Sequence, residues 1–389
     1  MDRVNGSVPT PRSRAVTGQH PVDVVCLGES MVTFLPTRPG RLADVPSFDR
    51  GIGGAESNVA CALAAAGHRA RWVGRVGRDG FGTHLTEAIG AYGVDVSAVV
   101  RDPGRPTGVY FRTATDRATD AHEVVYHRAG SAASAMAPST VPYDVVAGGR
   151  ILHLTGITAA LSASCLALVR ELTGPRPGRP LVSFDVNFRP GLWADPAAGG
   201  RVLLDLARGA DVVFVGADEA EAAWGVGEPD AIRRALPEPG VLVVKRGEVG
   251  ATVYERCAAS FPTPPLPELG ALPPDPRASN AGGAGFAAGP RPDTVTHVPA
   301  PRVDVVAPVG AGDAFAAGFL SGTLRGLDAK ARLRHGHLMA AAALTVPGDL
   351  AAPARRAHAD RLAAAPDEAW GRLHLGPGWT GEDQEVRTP

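Results

Sequence analysis

Val309-Gly310-Ala311-Gly312-Asp313-Ala314-Phe315-Ala316-Ala317-Gly318-Phe319 follows a strand-like Val303–Val306 and opens a long run of small residues that reads as a helix. Gly310 and Gly312 let backbone N–H groups approach an anion at a helix N-terminus, where the dipole also favours negative charge. Such a nest suits a phosphate, yet an aspartate at its centre repels one at rest. The arrangement makes sense if Asp313 takes a proton from a hydroxyl while the amides of Gly310, Ala311 and Gly312 hold the phosphoryl group which that hydroxyl attacks. Taken alone, the same residues read equally well as an aspartate capping a helix after a glycine-rich turn. The surrounding sequence has to decide.

Upstream, apolar strand runs alternate with alanine-rich helical segments. Val22–Gly28 is a continuous apolar run of the kind buried on both faces, and Arg71–Val76, Ile151–Leu154, Leu181–Val186, Asp211–Val215 and Val241–Lys245 are further strand candidates. Helices fall between them near Ser164–Leu172, Arg201–Arg208, Asp218–Trp224 and Asp230–Leu236, and Ser57 is placed to cap another running through Val59–Ala66. This alternation implies a mostly parallel sheet covered on both faces. Two segments break it. Thr107–Thr115 and His122–Arg128 are β-rich with no helix between them, and read as a hairpin outside the main sheet, a candidate lid. Residues 258–293 hold nine prolines and five glycines in 36 positions, and read as a surface insertion. Residues 1–20 read as a disordered leader, residues 21–375 as one domain and residues 376–389 as a frayed tail.

Composition removes several classes. With 44% hydrophobic and 20% charged residues in 389, a packed core is within reach. The balance of 39 basic against 40 acidic residues argues against nucleic-acid or membrane-surface partners. Lys245 and Lys330 are the two lysines, and neither follows glycine as a Walker A loop requires. Cys26, Cys61, Cys165 and Cys257 lie far apart with no CxxC, which fits a reducing, cytoplasmic setting and gives no zinc signature. His335 and His337, two apart on a candidate helix, point in different directions and make a poor metal pair.

A second glycine-rich segment, Gly51-Ile52-Gly53-Gly54-Ala55-Glu56-Ser57-Asn58, opens the first long helix. Its glycines permit close ligand approach, and Asn58 can donate to and accept from sugar hydroxyls. It is not a GxGxxG dinucleotide fingerprint. Between the two motifs come Gly74-Arg75-Val76-Gly77-Arg78-Asp79-Gly80-Phe81-Gly82, then Asp218-Glu219-Ala220-Glu221, then Lys245-Arg246-Gly247-Glu248-Val249-Gly250. Five segments in this order resemble the PfkB/ribokinase family of carbohydrate kinases, from about Val22 to Ala352 and interrupted by the Pro/Gly insertion.

The resemblance implies a ribokinase-like three-layer α/β/α sandwich, with a mainly parallel central sheet and a small β lid built near 30–50 and 105–130. It implies ATP and Mg²⁺ as cosubstrate and cofactor, with Asp313 as base. An Asn-x-x-Glu segment of the family arranges Mg²⁺ through water, and Asp218 and Glu221 are set on those positions, with Asp218 also toward ATP; a solvated acidic face is the alternative. Lys245, Gly247 and Gly250 are implied to border the nucleotide, and the two glycines fit plain hairpin turns equally well. Where the family carries an aspartate three residues before the first glycine of the GAGD segment, this chain has Ala307, which leaves the monovalent-cation site open. Relatives often pair through their lids, so a homo-oligomer is expected.

Within the family, Asp185-Val186-Asn187-Phe188-Arg189-Pro190-Gly191-Leu192-Trp193, Thr107–Arg112 and Tyr126–Ser134 are most similar to 2-keto-3-deoxygluconate kinases. That implies an acid-sugar pocket lined by Tyr110, Arg112, Arg128 and Arg189 with Gly53, Gly54 and Asn58. The chemistry agrees, since a planar guanidinium suits a sugar carboxylate. Among 37 arginines, though, any one is more often a solvated surface residue, and Arg189 beside Asp185 also reads as a structural salt bridge. From sequence, replacing Asp313 by Asn should remove turnover and leave stability nearly unchanged.

Overall fold

The computed structural model describes residues 22–38, 40–113, 123–256 and 292–381. The leader expected at 1–20, nearly all of the 258–293 insertion and Cys257 lie outside them. An eight-stranded sheet runs Thr294–Val298, Ala251–Glu255, Val241–Lys245, Val212–Gly216, Leu181–Asp185, Gly149–Thr155, Val22–Leu27 and Ala70–Val73, in that spatial order. The six strands from Val241–Lys245 to Ala70–Val73 are parallel; the last two in sequence add antiparallel at one edge.

Alternation along each strand builds two cores. Val24 and Cys26 face one way with Val212, Phe214, Val241 and Val243; Val25 and Leu27 face the other with Val213, Val215, Leu242 and Val244. The helices Ala55–Ala65, Ala311–Leu324 and Ala329–Leu344 cover the first face through Leu63, Phe319 and Leu338. Ala163–Thr173 and Pro196–Arg208 cover the second through Val169 and Leu203. Burial on both faces is why these strands show as unbroken apolar runs. The result is the ribokinase-like α/β/α sandwich.

A second sheet of four strands, Phe48–Gly53, Met31–Pro36, Val109–Arg112 and Val124–His127, stands apart from the first. Phe34 stacks on Phe111 at 4.8 Å between ring centroids, and Phe48 meets Phe111 edge-on at 5.4 Å, so Phe111 packs this small lid sheet rather than facing a ligand.

Several local expectations are corrected. The first long helix begins at Ala55 with Gly54 as its cap, and Ser57 sits inside it, its hydroxyl donating back to the Gly54 carbonyl at 3.0 Å. Arg71–Val76 divides into Ala70–Val73 of the main sheet and Arg75–Gly77, which pairs with Val100–Asp102. The strand before the GAGD segment is only Arg302–Val303, and it pairs with His374–Leu375 rather than with the main sheet. The tail begins later than 376, because Trp379 is 3% exposed and packed in the core beneath Arg356–Ala363. Its apolar area outweighs the turn-forming glycines around it.

Candidate active site

In an open parallel sheet, ligands gather beyond the carboxyl ends of the strands. Here Glu29, Asp185, Asn187, Glu219 and Lys245 all lie at or just past such ends, and they line one cavity of about 560 Å³. The lid sheet contributes Tyr110, Arg112, Tyr126 and Arg128, and the N-terminus of Ala311–Leu324 contributes Gly310, Ala311, Gly312 and Asp313. A volume in the ~300–1,000 Å³ range suits a small-molecule site.

Gly310 has φ 73°, and a Cβ there would lie 2.2 Å from the Asp349 carbonyl, so only glycine makes this turn. The first intrahelical bond runs from Ala314 N–H to the Gly310 carbonyl, which leaves the preceding three N–H groups of the first turn unclaimed by the helix. Asp313 is partly buried beside them. Its Oδ2 accepts from Asn58 Nδ2 at 2.8 Å, joining the two glycine-rich motifs across 255 residues. Burial, then the nearby Asp185 and Asp349 carboxylates, push the Asp313 pKa up to about 7, against the pull of Asn58 and Lys245. That places it where a general base works best.

Lys245 donates to Asp185 Oδ2 at 2.8 Å. Burial opposes its charge, but Asp185, Glu219 and Asp313 outweigh that and hold it protonated. Burial raises Glu219 in turn, with Asp185 adding to the effect. Asp185 keeps its Oδ1 unpaired, and so do the Oδ1 atoms of Asn58 and Asn187. Asn187 has φ 42°, a left-handed conformation that asparagine tolerates better than most residues, and it is buried. Three unpaired acceptors in one polar cavity suit a ligand rich in hydroxyls.

The three expected arginines converge on the cavity, but each has an acidic neighbour. Arg112, 5% exposed, donates to Asp349 Oδ1 at 2.7 Å, and Tyr110 donates its hydroxyl to the other oxygen at 3.1 Å. Gly53 makes room for this cluster, since a Cβ there would come within 2.4 Å of the Tyr110 hydroxyl. Arg128 pairs with Glu29, which also accepts from Ser131 at 2.7 Å. Arg189 differs. Its side chain is 53% exposed, its Nη1 donates to the Phe188 carbonyl at 3.0 Å, and its Glu219 contact is a long 3.4 Å. Asp185, the partner expected for it from sequence, is taken by Lys245.

Gly53, Gly54, Asn58, Tyr110, Arg112, Arg128, Arg189, Lys245, Gly310, Ala311, Gly312 and Asp313 therefore share one cavity. Asp218 and Glu221 do not line it. The helix Ala217–Trp224 turns both toward solvent and aims Glu219 inward, its Oε2 also accepting from the Gly216 N–H at 3.2 Å. Gly247 and Gly250 also lie outside the cavity, in the tight turn joining Val241–Lys245 to Ala251–Glu255. Asp349, Glu29, Asp185, Asn187 and Glu219 were not singled out from sequence as site residues.

The pfkB family carbohydrate kinase model matches residues 22–269 and 281–355. The chain belongs to the PfkB family of carbohydrate kinases. It is 35% identical over 333 residues to a 2-dehydro-3-deoxygluconokinase of Bacillus subtilis, covering 85% of this chain and 91% of the relative. It is 28% identical over 341 residues to the probable chloroplastic fructokinase-6 of Arabidopsis thaliana, covering 85% and 79%. Among solved structures, a PfkB protein from Polaromonas superposes with a TM-score of 0.68 at 32% identity, over 88% of this chain and all of that one. As a member of this family the chain is an ATP-dependent sugar kinase. Among the described residues no helix is long and apolar enough to cross a membrane.

Proposed function

We propose that the sugar is 2-keto-3-deoxygluconate and that its terminal hydroxyl receives the γ-phosphoryl group of ATP to give the 6-phosphate. Asp313 takes the hydroxyl proton. Asn58 holds the Asp313 carboxylate in place through Nδ2, and its Oδ1, buried without a partner, is assigned to accept from a second sugar hydroxyl. The free N–H groups of the Gly310–Gly312 turn stabilise charge on the moving phosphoryl group, and protonated Lys245 adds to that field. Closure of the lid sheet over the sugar excludes water as a competing acceptor.

Glu219 and Asp185 present carboxylates in the cavity, a donor set that fits a hydrated Mg²⁺. A Mg²⁺ held there would supply positive charge to offset that of the nucleotide phosphates. Among the described residues no three His, Cys, Asp or Glu side chains are grouped to hold a metal ion. We assign the water-arranging role to Glu219 in place of Asp218 and Glu221.

The observation carrying the substrate assignment is Arg189. The support is not a surplus of positive charge, because five carboxylates (Glu29, Asp185, Glu219, Asp313 and Asp349) share the cavity with four basic groups. It is that Arg189, alone of the three arginines, holds its carboxylate only at a long 3.4 Å and presents half its surface. The close pairing of Arg112 and Arg128 favours the second reading, a neutral sugar such as fructose. The test is ADP release with Mg-ATP and 2-keto-3-deoxygluconate, fructose, ribose, gluconate or adenosine. Preferential turnover of the keto-deoxy acid supports the assignment, whereas preferential turnover of a neutral sugar sinks it and leaves Asp313 as base.

A further inference from the structure

No residue of Gly74–Gly82, one of the segments that resemble the family, lines the active-site cavity, yet this segment meets the lid at its root. Asp79 caps the helix Gly80–Ala91, its Oδ1 accepting from the Gly82 N–H at 2.7 Å. A cap needs no more than that. The same Oδ1 also accepts from the Thr107 hydroxyl at 2.8 Å, and Oδ2 accepts from the Thr107 N–H at 2.9 Å. Thr107, 4% exposed, in turn accepts from the Gly77 N–H at 2.9 Å through its hydroxyl oxygen. Both oxygens of Asp79 are therefore engaged by a residue 28 positions away, just before the lid strand Val109–Arg112.

The glycines of the segment serve this contact. A Cβ on Gly77 would lie 2.3 Å from Asp79 Oδ2 and 2.8 Å from the Thr107 nitrogen, and one on Gly82 would lie 2.2 Å from the Gly77 carbonyl oxygen. Burial opposes the charge on Asp79, but the N–H groups of Thr107 and Gly82 and the Thr107 hydroxyl outweigh it and hold its pKa below the usual value. The chain leaving the lid returns to the same place. Beyond Val124–His127, the Ala132 N–H donates to the Pro106 carbonyl at 2.8 Å. Phe81, in the first turn after Asp79, meets Phe34 of the lid sheet edge-on at 5.8 Å. From this root, Val109–Arg112 carries Tyr110 and Arg112 into the cavity.

We propose that Asp79 is a positioning residue for phosphoryl transfer: through Thr107 it fixes the root of the lid hairpin, and so sets where Tyr110 and Arg112 stand when the lid closes. The inference rests on the reading that the lid sheet closes over the sugar. A carboxylate is required rather than an amide. Asparagine can still cap Gly80–Ala91 with its one oxygen, but it then presents Nδ2 to the Thr107 N–H, donor against donor.

The test measures ADP, sugar phosphate and inorganic phosphate together, with Mg-ATP and either 2-keto-3-deoxygluconate or fructose, whichever the unmodified protein turns over. Asp79→Asn and Thr107→Val are expected to raise KM for the sugar by about threefold to tenfold, the worth of a lost hydrogen bond, and to leave KM for ATP unchanged. Both should also release inorganic phosphate, because a misplaced lid admits water as acceptor, so that ADP exceeds sugar phosphate. Thr107→Ser keeps the hydroxyl and should restore both readings. An unchanged sugar KM with matched ADP and sugar phosphate in Asp79→Asn and Thr107→Val overturns the proposal. So does an equal loss toward sugar and ATP that follows a lower Tm, which marks a structural role alone. Phe111→Ala loosens the lid from within and separates the two readings. Inorganic phosphate released by Phe111→Ala but not by Asp79→Asn leaves lid closure standing and removes Asp79 from it; none released by any variant removes lid closure, and the proposal with it.

Discussion

Replacing Asp313 by Asn should make the ligand-free protein more stable above neutral pH while removing its turnover. Asp313 is partly buried, and desolvation with Asp185 and Asp349 raises its pKa to about 7 from an ordinary 3.8. A carboxylate raised in this way contributes its full stability below 3.8 and loses it as pH rises through about 7. By proton linkage, the raised Asp313 pKa costs the fold roughly 4 kcal/mol at pH 8 and roughly 2 kcal/mol at pH 5, relative to a side chain that does not titrate. With an unfolding entropy of roughly 0.8 kcal/mol/K for a chain of this length, those figures are upper limits of about 5 °C and about 2 °C in Tm. Asparagine keeps the shape, accepts the Asn58 bond and does not titrate.

The assay is calorimetry of both proteins without ligand at pH 5 and pH 8, paired with ADP release at pH 8. The expected pattern is a melting advantage for the variant that grows with pH and a loss of turnover of about 10²–10⁴, the usual worth of a positioned base. A flat difference in Tm between the two pH values would refute the buried-charge reasoning, even if turnover fell. Near-normal turnover would refute the base assignment. The reading from sequence, that stability barely changes, is reversed here because it took no account of how far a residue at a helix N-terminus is desolvated.

Four other outcomes follow from the same geometry. Arg189→Leu should lower kcat/KM for 2-keto-3-deoxygluconate about tenfold to a hundredfold, the worth of a charged hydrogen bond, and change fructose use far less; equal losses on both would remove Arg189 from carboxylate recognition. Glu219→Gln should raise the Mg²⁺ concentration needed for half-maximal rate by about tenfold or more, while Asp218→Asn and Glu221→Gln should leave it unchanged, and a magnesium titration of the three variants checks this. Asn58→Ala removes an influence that lowers the Asp313 pKa, so the acidic limb of the kcat/KM profile should move to higher pH; a limb that stays put or moves down would mean that another group sets it. Ala307 is buried and brings no side-chain oxygen, so turnover is expected to be equal in potassium and sodium salts, and Ala307→Asp is the variant in which a potassium dependence should appear.

What could be read from the sequence follows from which forces act locally. The apolar runs at Val22–Leu27 and Val241–Lys245 announce buried strands because both faces of the sheet are covered, and the GAGD segment announces an anion site because Gly310 is needed where it stands. Glu219 was missed by one residue. Spacing of i and i+3 describes a pair of side chains on a helix but not the rotation of that helix, which is set here by its start at Ala217 against the end of Val212–Gly216. Asp349 carried no signal at all, being a lone acid in a loop after Ala329–Leu344 that tertiary packing delivers to Tyr110 and Arg112.

That last contact changes how the arginines bear on function. A sequence shows a guanidinium but not its partner, so Arg112, Arg128 and Arg189 look equivalent until the chain folds. Folding assigns Arg112 to Asp349 and Arg128 to Glu29, and each pair then acts as a neutral, rigid wall whose remaining donors can order sugar hydroxyls. Arg189 is left with a long contact and an open face. Discrimination between an acid and a neutral sugar thus rests on one exposed arginine in a cavity whose carboxylates otherwise repel anions. Loss of Arg189 should for that reason do more than weaken an acid sugar: it should tilt the cavity toward neutral ones, and the ratio of the two kcat/KM values measures that tilt better than either alone.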